Sequence, residues 1–532
     1  MPALMRGLVL LLPCLLAMVV AAPSMAAAAS PTAAILSIGN GPEPESLDPQ
    51  KATSVSAGNV LRDLYEGLTG RAPDGALVPA AAQSWTWSED GRELRLQLRE
   101  GLRWSNGDAL TADHYVAGLR RLIDPATRSG YAGLFSAIGG ADEIAAGRLA
   151  PENLAAIADD ARMLRIRLAR PLPTLPALLA HPAASPLHPA DRTALAGQAR
   201  ITNGAYRLLE WTPQSRILLA RNERYWRAAA TQIERLQFVP TEDLSSELKR
   251  YRAGELDITS TVPSAQARWL REQLGSELHL APYLGSYFYG YNLSRPPFKA
   301  SLPLRQALSM AVDRRIIADK VLHGLASPAW SLVPPGVSGY SAQPPAWANW
   351  PREQQLAEAR RLYASAGYTA ERPLEVEIRY NTSDDNKRVA VVIAAMWKQT
   401  LGVRVKLVNE EWKVFLRNRR TRELTQVFRN TWIGDVDDAW GFVELFGSHH
   451  PRNDSGYAEP GFDCLLQQAA DAADADQRRA ALEAAERRLL DDAPLLPIYF
   501  YASKHLVKPR VEGWQDNPLD WHYSKDLRLR EH

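Results

Sequence analysis

The sequence predicts an α/β protein built in several lobes, and three observations lead there. Strand and helix patterns alternate along the whole chain. The segment from Leu374 to Val408 reads as a strand, a helix and a second strand, a unit that builds parallel sheets. The chain has 532 residues, 46% of them hydrophobic and 23% charged, an ordinary globular balance at a length that exceeds one core and implies about three domains.

The first residues are of another kind. Arg6 precedes GLVLLLPCLLAMVVAA and then PSMAAAAS, the pattern of a cleaved leader: a short positive region, an apolar run and small residues for a peptidase near Ala26 to Ala29. An exported mature protein is expected. A membrane anchor fits less well, because the run is short, contains Pro13 and has no positive flank after it. A lipoprotein reading of Cys14 suffers from the bulky Leu12 and Pro13 before it.

Further along, ELRLQLR from Glu93 alternates at period two, as a strand does, and TADHYVAGLRRLID places Val116, Leu119 and Ile123 on one helical face behind Thr111 as N-cap. SSELKRYRAG followed by ELDITS, and DQRRAALEAAERRLL followed by PLLPIYFY, read as two more helix and strand pairs. In the Leu374 unit, LEVEIRY is the first strand, KRVAVVIAAMWKQTL the helix closed by Gly402, and VRVKLV the second strand. Proline clusters near 182 to 189, 334 to 345 and 494 to 497 are expected as loops or crossovers. No internal repeat or low-complexity segment interrupts the mature chain.

Charge and cysteine content narrow the function. The formal charge is +2, and losing the leader removes one arginine and no acid, so nothing argues for nucleic acid or an anionic bilayer. Cys14 leaves with the leader and Cys464 remains alone, which precludes an intrachain disulfide and cysteine-rich metal sites.

Motifs for catalysis are mostly missing. The acidic stretch starting at Asp435 fails as a calcium loop, with Ala439, Trp440 and Phe446 where an oxygen ligand, a glycine and a glutamate belong. Adjacent His449 and His450 lack metal-ligand spacing and read as a solvated loop. SELK, Ser246 to Lys249, matches the SxxK of penicillin-binding enzymes, but its SDN and KTG companions are absent, as are GxSxG and phosphate-cradling glycine motifs. A secreted glycosidase stays open as an alternative of another class, since fifteen tryptophans and many acids suit sugar chemistry and carboxylate pairs have no sequence spacing.

The run GALVPAAAQSWTWSEDGRELRLQLREGLRWSNGDALTADHYV, Gly75 to Val116, resembles the signature region of the peptide-binding proteins of ABC importers, bacterial solute-binding protein family 5. The likeness continues through TNGAYRLLEW, RYRAGELDI, YNTSDDNK and VKLVNEEWKVFL, covers essentially the whole mature chain, and is strongest to the periplasmic oligopeptide binders. It implies a periplasmic two-lobe clamp with an additional third domain, closing over its ligand by hinge motion. The implied division is lobe I at 30–65, 188–284 and 503–532, domain II at 66–187 and lobe III at 285–502. It further implies a non-catalytic, monomeric receptor without cofactor or metal, whose partners are short peptides and membrane permease subunits with cytoplasmic ATPases.

Residue roles follow from the same resemblance. Asp435, in NTWIGDVDD, falls on the family's aspartate for the ligand's terminal ammonium, a charge that would cost several kcal/mol to bury unpaired. Backbone at Val55, Thr431, Ile433 and Gly285 corresponds to positions that pair an extended peptide like an added strand, which gives affinity without side-chain selectivity. Trp432, Tyr131, Phe288, Asn381 and Tyr501 correspond to cavity-lining positions, and Arg429 and Arg419 to arginines for ligand carboxylates.

The sequence also departs from the family. Leu322 and Asn386 stand where oligopeptide binders have a lysine and a histidine for the carboxylates of longer peptides. Gly285 and Ile433 replace the two positions of the family's disulfide, while Gly290 and Thr53 replace glutamates. Asp437 and Asp438, in place of part of the customary NEP, are expected as solvated rim. ALSMAVDRRIIADKVL and SPAW resemble the murein-peptide-binding branch, which takes the tripeptide L-Ala-γ-D-Glu-diaminopimelate. Its extra carboxylate would give Arg419 a purpose, and this ligand is the leading alternative.

Overall fold

The structure, a computed structural model, describes residues 34–193, 201–450, 452–472 and 474–530; the expected leader and its cleavage site lie outside these residues. In chain order the main elements are β1 (Ile35–Gly39), α1 (Val55–Leu64), β2 (Ala82–Trp87), β3 (Glu93–Leu98), α2 (Ala112–Ile123), β4 (Ala156–Ala158) and β5 (Met163–Arg167). Next come β6 (Tyr206–Thr212), β7 (Arg216–Arg221), β8 (Arg235–Val239), α3 (Leu244–Arg252) and β9 (Leu278–Tyr291). The remainder comprises α4 (Leu302–Ala311), β10 (Ala326–Pro328), α5 (Arg352–Ser365), β11 (Glu375–Asn381), α6 (Asp384–Leu401), β12 (Arg404–Glu410), α7 (Trp412–Thr421), β13 (Val427–Ile433), α8 (Pro460–Asp471), α9 (Ala475–Asp492) and β14 (Leu495–Leu506).

Three larger sheets organise these elements. The first has the order β1-β8-β7-β6, with β1 and β8 parallel and the other pairs antiparallel. The second, β2-β3-β5-β4, is antiparallel throughout. The third is mixed, in the order β10-β14-β9-β13-β11-β12. Each has its own apolar core, so the chain contains several packed layers, as its length requires.

Local signals carry through to packing. Thr111 caps α2 in a capping box with His114, and Val116, Leu119 and Ile123 are buried against the second sheet. The Leu374 unit forms as expected: β11 and β12 are parallel neighbours, and α6 between them ends where Gly402 takes φ +74°, a conformation with little penalty only for glycine. Along α6, Val389, Ile393 and Trp397 are fully buried, and the Trp397 Nε1 donates to Leu308 O at 2.9 Å. Each such aliphatic side chain contributes about 1.5–3 kcal/mol of burial.

Two expectations are corrected. ELDITS forms no extended strand: Ile258 makes single bridges to Ile38 and Val507, and beside it the Asp257 side chain accepts from the Ser37 N–H at 3.0 Å and pairs with Arg510 at 2.6 Å. The 494–497 prolines are not simply a loop, since Pro497 lies inside β14. It sits at the register shift against Tyr287 and Phe288, where the ladder is already broken and the missing N–H removes nothing. The Pro497 carbonyl instead accepts from the buried Arg314 Nε at 2.8 Å.

Candidate functional site

β13 positions the site. It runs antiparallel to β9, with Gly285 opposite Ile433, Ser286 opposite Trp432 and Tyr287 opposite Thr431. On its other edge β11 pairs only with Val427 and Phe428. From Arg429 to Ile433 that edge meets no strand among the described residues, although the Asn430 side chain takes the Thr431 N–H at 2.8 Å. This half-free edge borders a cavity of about 520 Å3, within the range of small-ligand sites.

Of the residues expected at the site, Asp435, Trp432, Thr431, Ile433, Val55, Tyr131, Phe288 and Arg419 line this cavity. Arg429, Asn381, Tyr501 and Gly285 do not. Arg429 is buried beside Tyr287 and donates to the Tyr501 hydroxyl at 3.2 Å. Asn381 accepts from Asn386 Nδ2 at 3.2 Å, and Asn386 in turn accepts from Tyr287, so this polar group satisfies itself. At Gly285 a Cβ would lie 2.6 Å from Ile433 Cδ1 and 3.0 Å from Tyr501, so the isoleucine occupies the room of the missing side chain. Gly290 does line the cavity, but a Cβ there would meet the Phe428 ring at 2.3 Å.

Asp435 follows directly from β13. Gly434 continues the pairing through its N–H to Leu284 O at 2.7 Å, and the next residue turns into the cavity wall. Burial pushes the Asp435 carboxyl up to about 6, against the opposing pull of the Arg452 charge. Among the described residues no donor hydrogen-bonds this carboxylate. Beside it, Trp432 Nε1 is a buried donor without a partner, a state that costs about 1–3 kcal/mol. The site thus presents an acceptor and a donor that both lack hydrogen-bond partners among the described residues.

Sequence reasoning missed several lining residues. Arg452 lies with its guanidinium 5.0 Å from the Trp432 ring centroid, and no carboxylate pairs with it among the described residues. Arg62 packs over Trp521 and bonds Asn59; Arg420 also lines the cavity. His181 packs tilted against Tyr131, ring centroids 4.3 Å apart, and burial followed by the Arg62 charge pushes it down to about 3, so it is neutral. None carries a periodicity or motif signal; only spatial convergence reveals them. Arg419 is already engaged, bonding Asn430 Oδ1 at 2.8 Å, with its Nε 2.7 Å from Asp454 in an ion pair too poorly aligned for a hydrogen bond.

Of the neighbouring acids, Asp437 stays at an exposed contact while Asp438 is not solvated rim. Asp437 accepts from the Ser338 N–H at 2.8 Å, and Asp438 pairs with Arg478 through bonds of 2.7 and 2.9 Å. Asp438 belongs to a separate cavity of about 640 Å3. The partners lie 99 and 40 residues away, which is why sequence spacing concealed them.

By class, the fold and site are those of a solute-binding protein. The family model of bacterial extracellular solute-binding proteins, family 5, matches residues 76–454. The periplasmic oligopeptide-binding protein OppA of Escherichia coli K12 is 36% identical, over 93% of this chain and 92% of that protein. The periplasmic murein peptide-binding protein MppA of the same organism is 36% identical over 92% of both chains. The solved Escherichia coli MppA structure superposes with a TM-score of 0.84 at 35% identity, covering 93% of this chain and 98% of that one. Haemophilus influenzae OppA in complex with RPPGFSPFR gives 0.80 at 34% identity, with coverage of 93% and 98%. The chain belongs to the bacterial extracellular solute-binding proteins, family 5, and shares their α/β clamp fold.

Proposed function

We propose that this chain is an exported, non-catalytic receptor that captures short peptides in the cavity beside β13 and hands them to an ABC permease for uptake. The observation that carries this reading is Asp435: an ionisable carboxyl in the cavity wall, raised to about 6 by burial and without a hydrogen-bond donor among the described residues. A ligand's terminal ammonium supplies both the charge and the donors, a bond that contributes about 1.5–3 kcal/mol. The half-free β13 edge, with Thr431 and Ile433, takes the peptide backbone, and Trp432 Nε1 donates to a ligand oxygen. The names of the relatives, periplasmic oligopeptide-binding and murein peptide-binding, support the ligand class and the compartment.

The proposed lobes are 30–65 with 188–284 and 503–532, then 66–187, then 285–502. In support, the first two sheets each fall within one of these divisions, and only β9 and β14 cross between the first and third. Leader cleavage near Ala26 to Ala29 and a monomeric receptor complete the proposal.

One observation favours a second ligand, the murein tripeptide L-Ala-γ-D-Glu-diaminopimelate. Arg62, Arg419, Arg420 and Arg452 line the cavity against only Asp435, Asp454 and Asp520, and this surplus of positive charge suits a ligand with more carboxylates than an ordinary tripeptide. Calorimetric titration tests the shared ammonium site: Asp435→Asn should weaken a free peptide about 10- to 150-fold, the equivalent of about 1.5–3 kcal/mol, while scarcely changing an N-acetylated one. Equal losses for both would refute the assignment.

A further inference from the structure

On another part of the cavity wall, three side chains from the single stretch 505–522 converge. His505 is in β14, and Asp520 and His522 lie in the segment after it. His505 Nε2 is 2.9 Å from Asp520 Oδ1, and His522 Nε2 is 3.1 Å from the same oxygen. The three potential ligand atoms all lie within 4.8 Å of one another. Ligand atoms on a tetrahedral zinc ion are separated by about 3.3 Å, given bonds of about 2.0 Å, so side-chain adjustments on the order of an ångström would bring the three onto one ion.

The orientation of both rings is set from outside the cluster. His505 Nδ1 lies 2.8 Å from the Thr259 carbonyl, to which it donates, so Nε2 is the nitrogen that faces Asp520. Such a carbonyl behind a histidine is the arrangement that fixes the ring of a metal ligand. His522 is held flat against Trp514, with ring centroids 3.7 Å apart and planes 18° from parallel. Asp520 itself has φ +56°, an unusual conformation that the turn between Asn517 and Trp521 maintains. Two imidazoles and one carboxylate, with the remaining coordination positions left to water or another ligand, form a donor set suited to zinc and its first-row neighbours.

We propose that His505, Asp520 and His522 bind one divalent transition-metal ion of the zinc class. The ion displaces the protons on both Nε2 atoms that face Asp520: the one on His505 leaves to solvent, and the one on His522 is exchanged through solvent for a proton on its Nδ1, so that each ring binds as neutral imidazole. Because Asp520 and Trp521 also line the ligand cavity, the bound ion ties β14 to the cavity wall.

Cobalt(II) absorption and zinc calorimetry on the tag-free, chelator-treated mature chain test the proposal. One ion per chain should bind, with the visible spectrum of a nitrogen and oxygen site. Both His522→Gln and His505→Gln should weaken binding at least about 100-fold, since losing even an outer-shell partner costs about 10- to 100-fold. Should His505→Gln fail to fold, His522→Gln alone decides, because its side chain is partly exposed and outside the ligand cavity. A chain with both His449→Gln and His450→Gln should bind cobalt as the parent does. Absence of stoichiometric binding, or binding that survives His522→Gln, would overturn the site.

Discussion

Asp435 bears its charge at the expense of the unliganded fold. Its carboxyl stands at about 6 in the folded chain against an ordinary value of 3.8, so the folded state holds this proton more tightly than the unfolded one. The resulting stability is fully present below the ordinary value and is lost as pH rises through about 6. Asp435→Asn removes this dependence. The ligand-free variant should match the parent near pH 4 and exceed it near pH 8, by at most about 3 kcal/mol. Scanning calorimetry at both pH values checks this, and an advantage of the same size at each would contradict it. Asp435 was legible in the sequence because TWIGD surrounds it with a family pattern. Arg452 was not, since nothing in PRNDSGY signals that its guanidinium lies over Trp432. The ion pair of Asp438 with Arg478 escaped for the same reason: it is a fact of tertiary approach.

At the scale of elements, the role proposed for the free half of β13 is recognition without side-chain selectivity. Peptide N–H and C=O groups recur whatever the sequence, so an unpaired strand edge accepts many ligands alike. A peptide with one amide replaced by an ester, at a position that pairs with Thr431 or Ile433, should lose about 1 kcal/mol, roughly fivefold in affinity by competition titration. An unchanged affinity for every ester position would rule out strand-like pairing. Periodicity revealed most elements themselves: α2 behind Thr111, and the β11, α6 and β12 unit with its Gly402 cap, lie close to their expected places. It did not reveal that β11 leaves β13 after Phe428, because strand register is set by partners distant in sequence. The ELDITS segment shows the converse, an alternating pattern that forms only single bridges, with the Asp257 side chain taking the Ser37 N–H.

For the whole molecule, three sheets have separate cores, residues from 49–62, 130–182, 283–290, 416–455 and 519–521 line a charged cavity, and β9 and β14 connect the proposed lobes. Ligand contacts from more than one lobe favour a closed form by population shift. The fold class was legible because long family motifs extend over most of the chain, whereas the cavity's charge was not: Arg62 and Arg452 come from segments 390 residues apart and meet only in the fold. That surplus of arginine is also what keeps the murein tripeptide beside ordinary short peptides as a ligand. Native mass spectrometry of the mature protein, purified from an exporting host without denaturation, tests the central claim most directly. Noncovalent peptide cargo is expected, either a ladder of short-peptide masses or the single mass of the murein tripeptide. A sugar mass or a covalent adduct on the chain would contradict it.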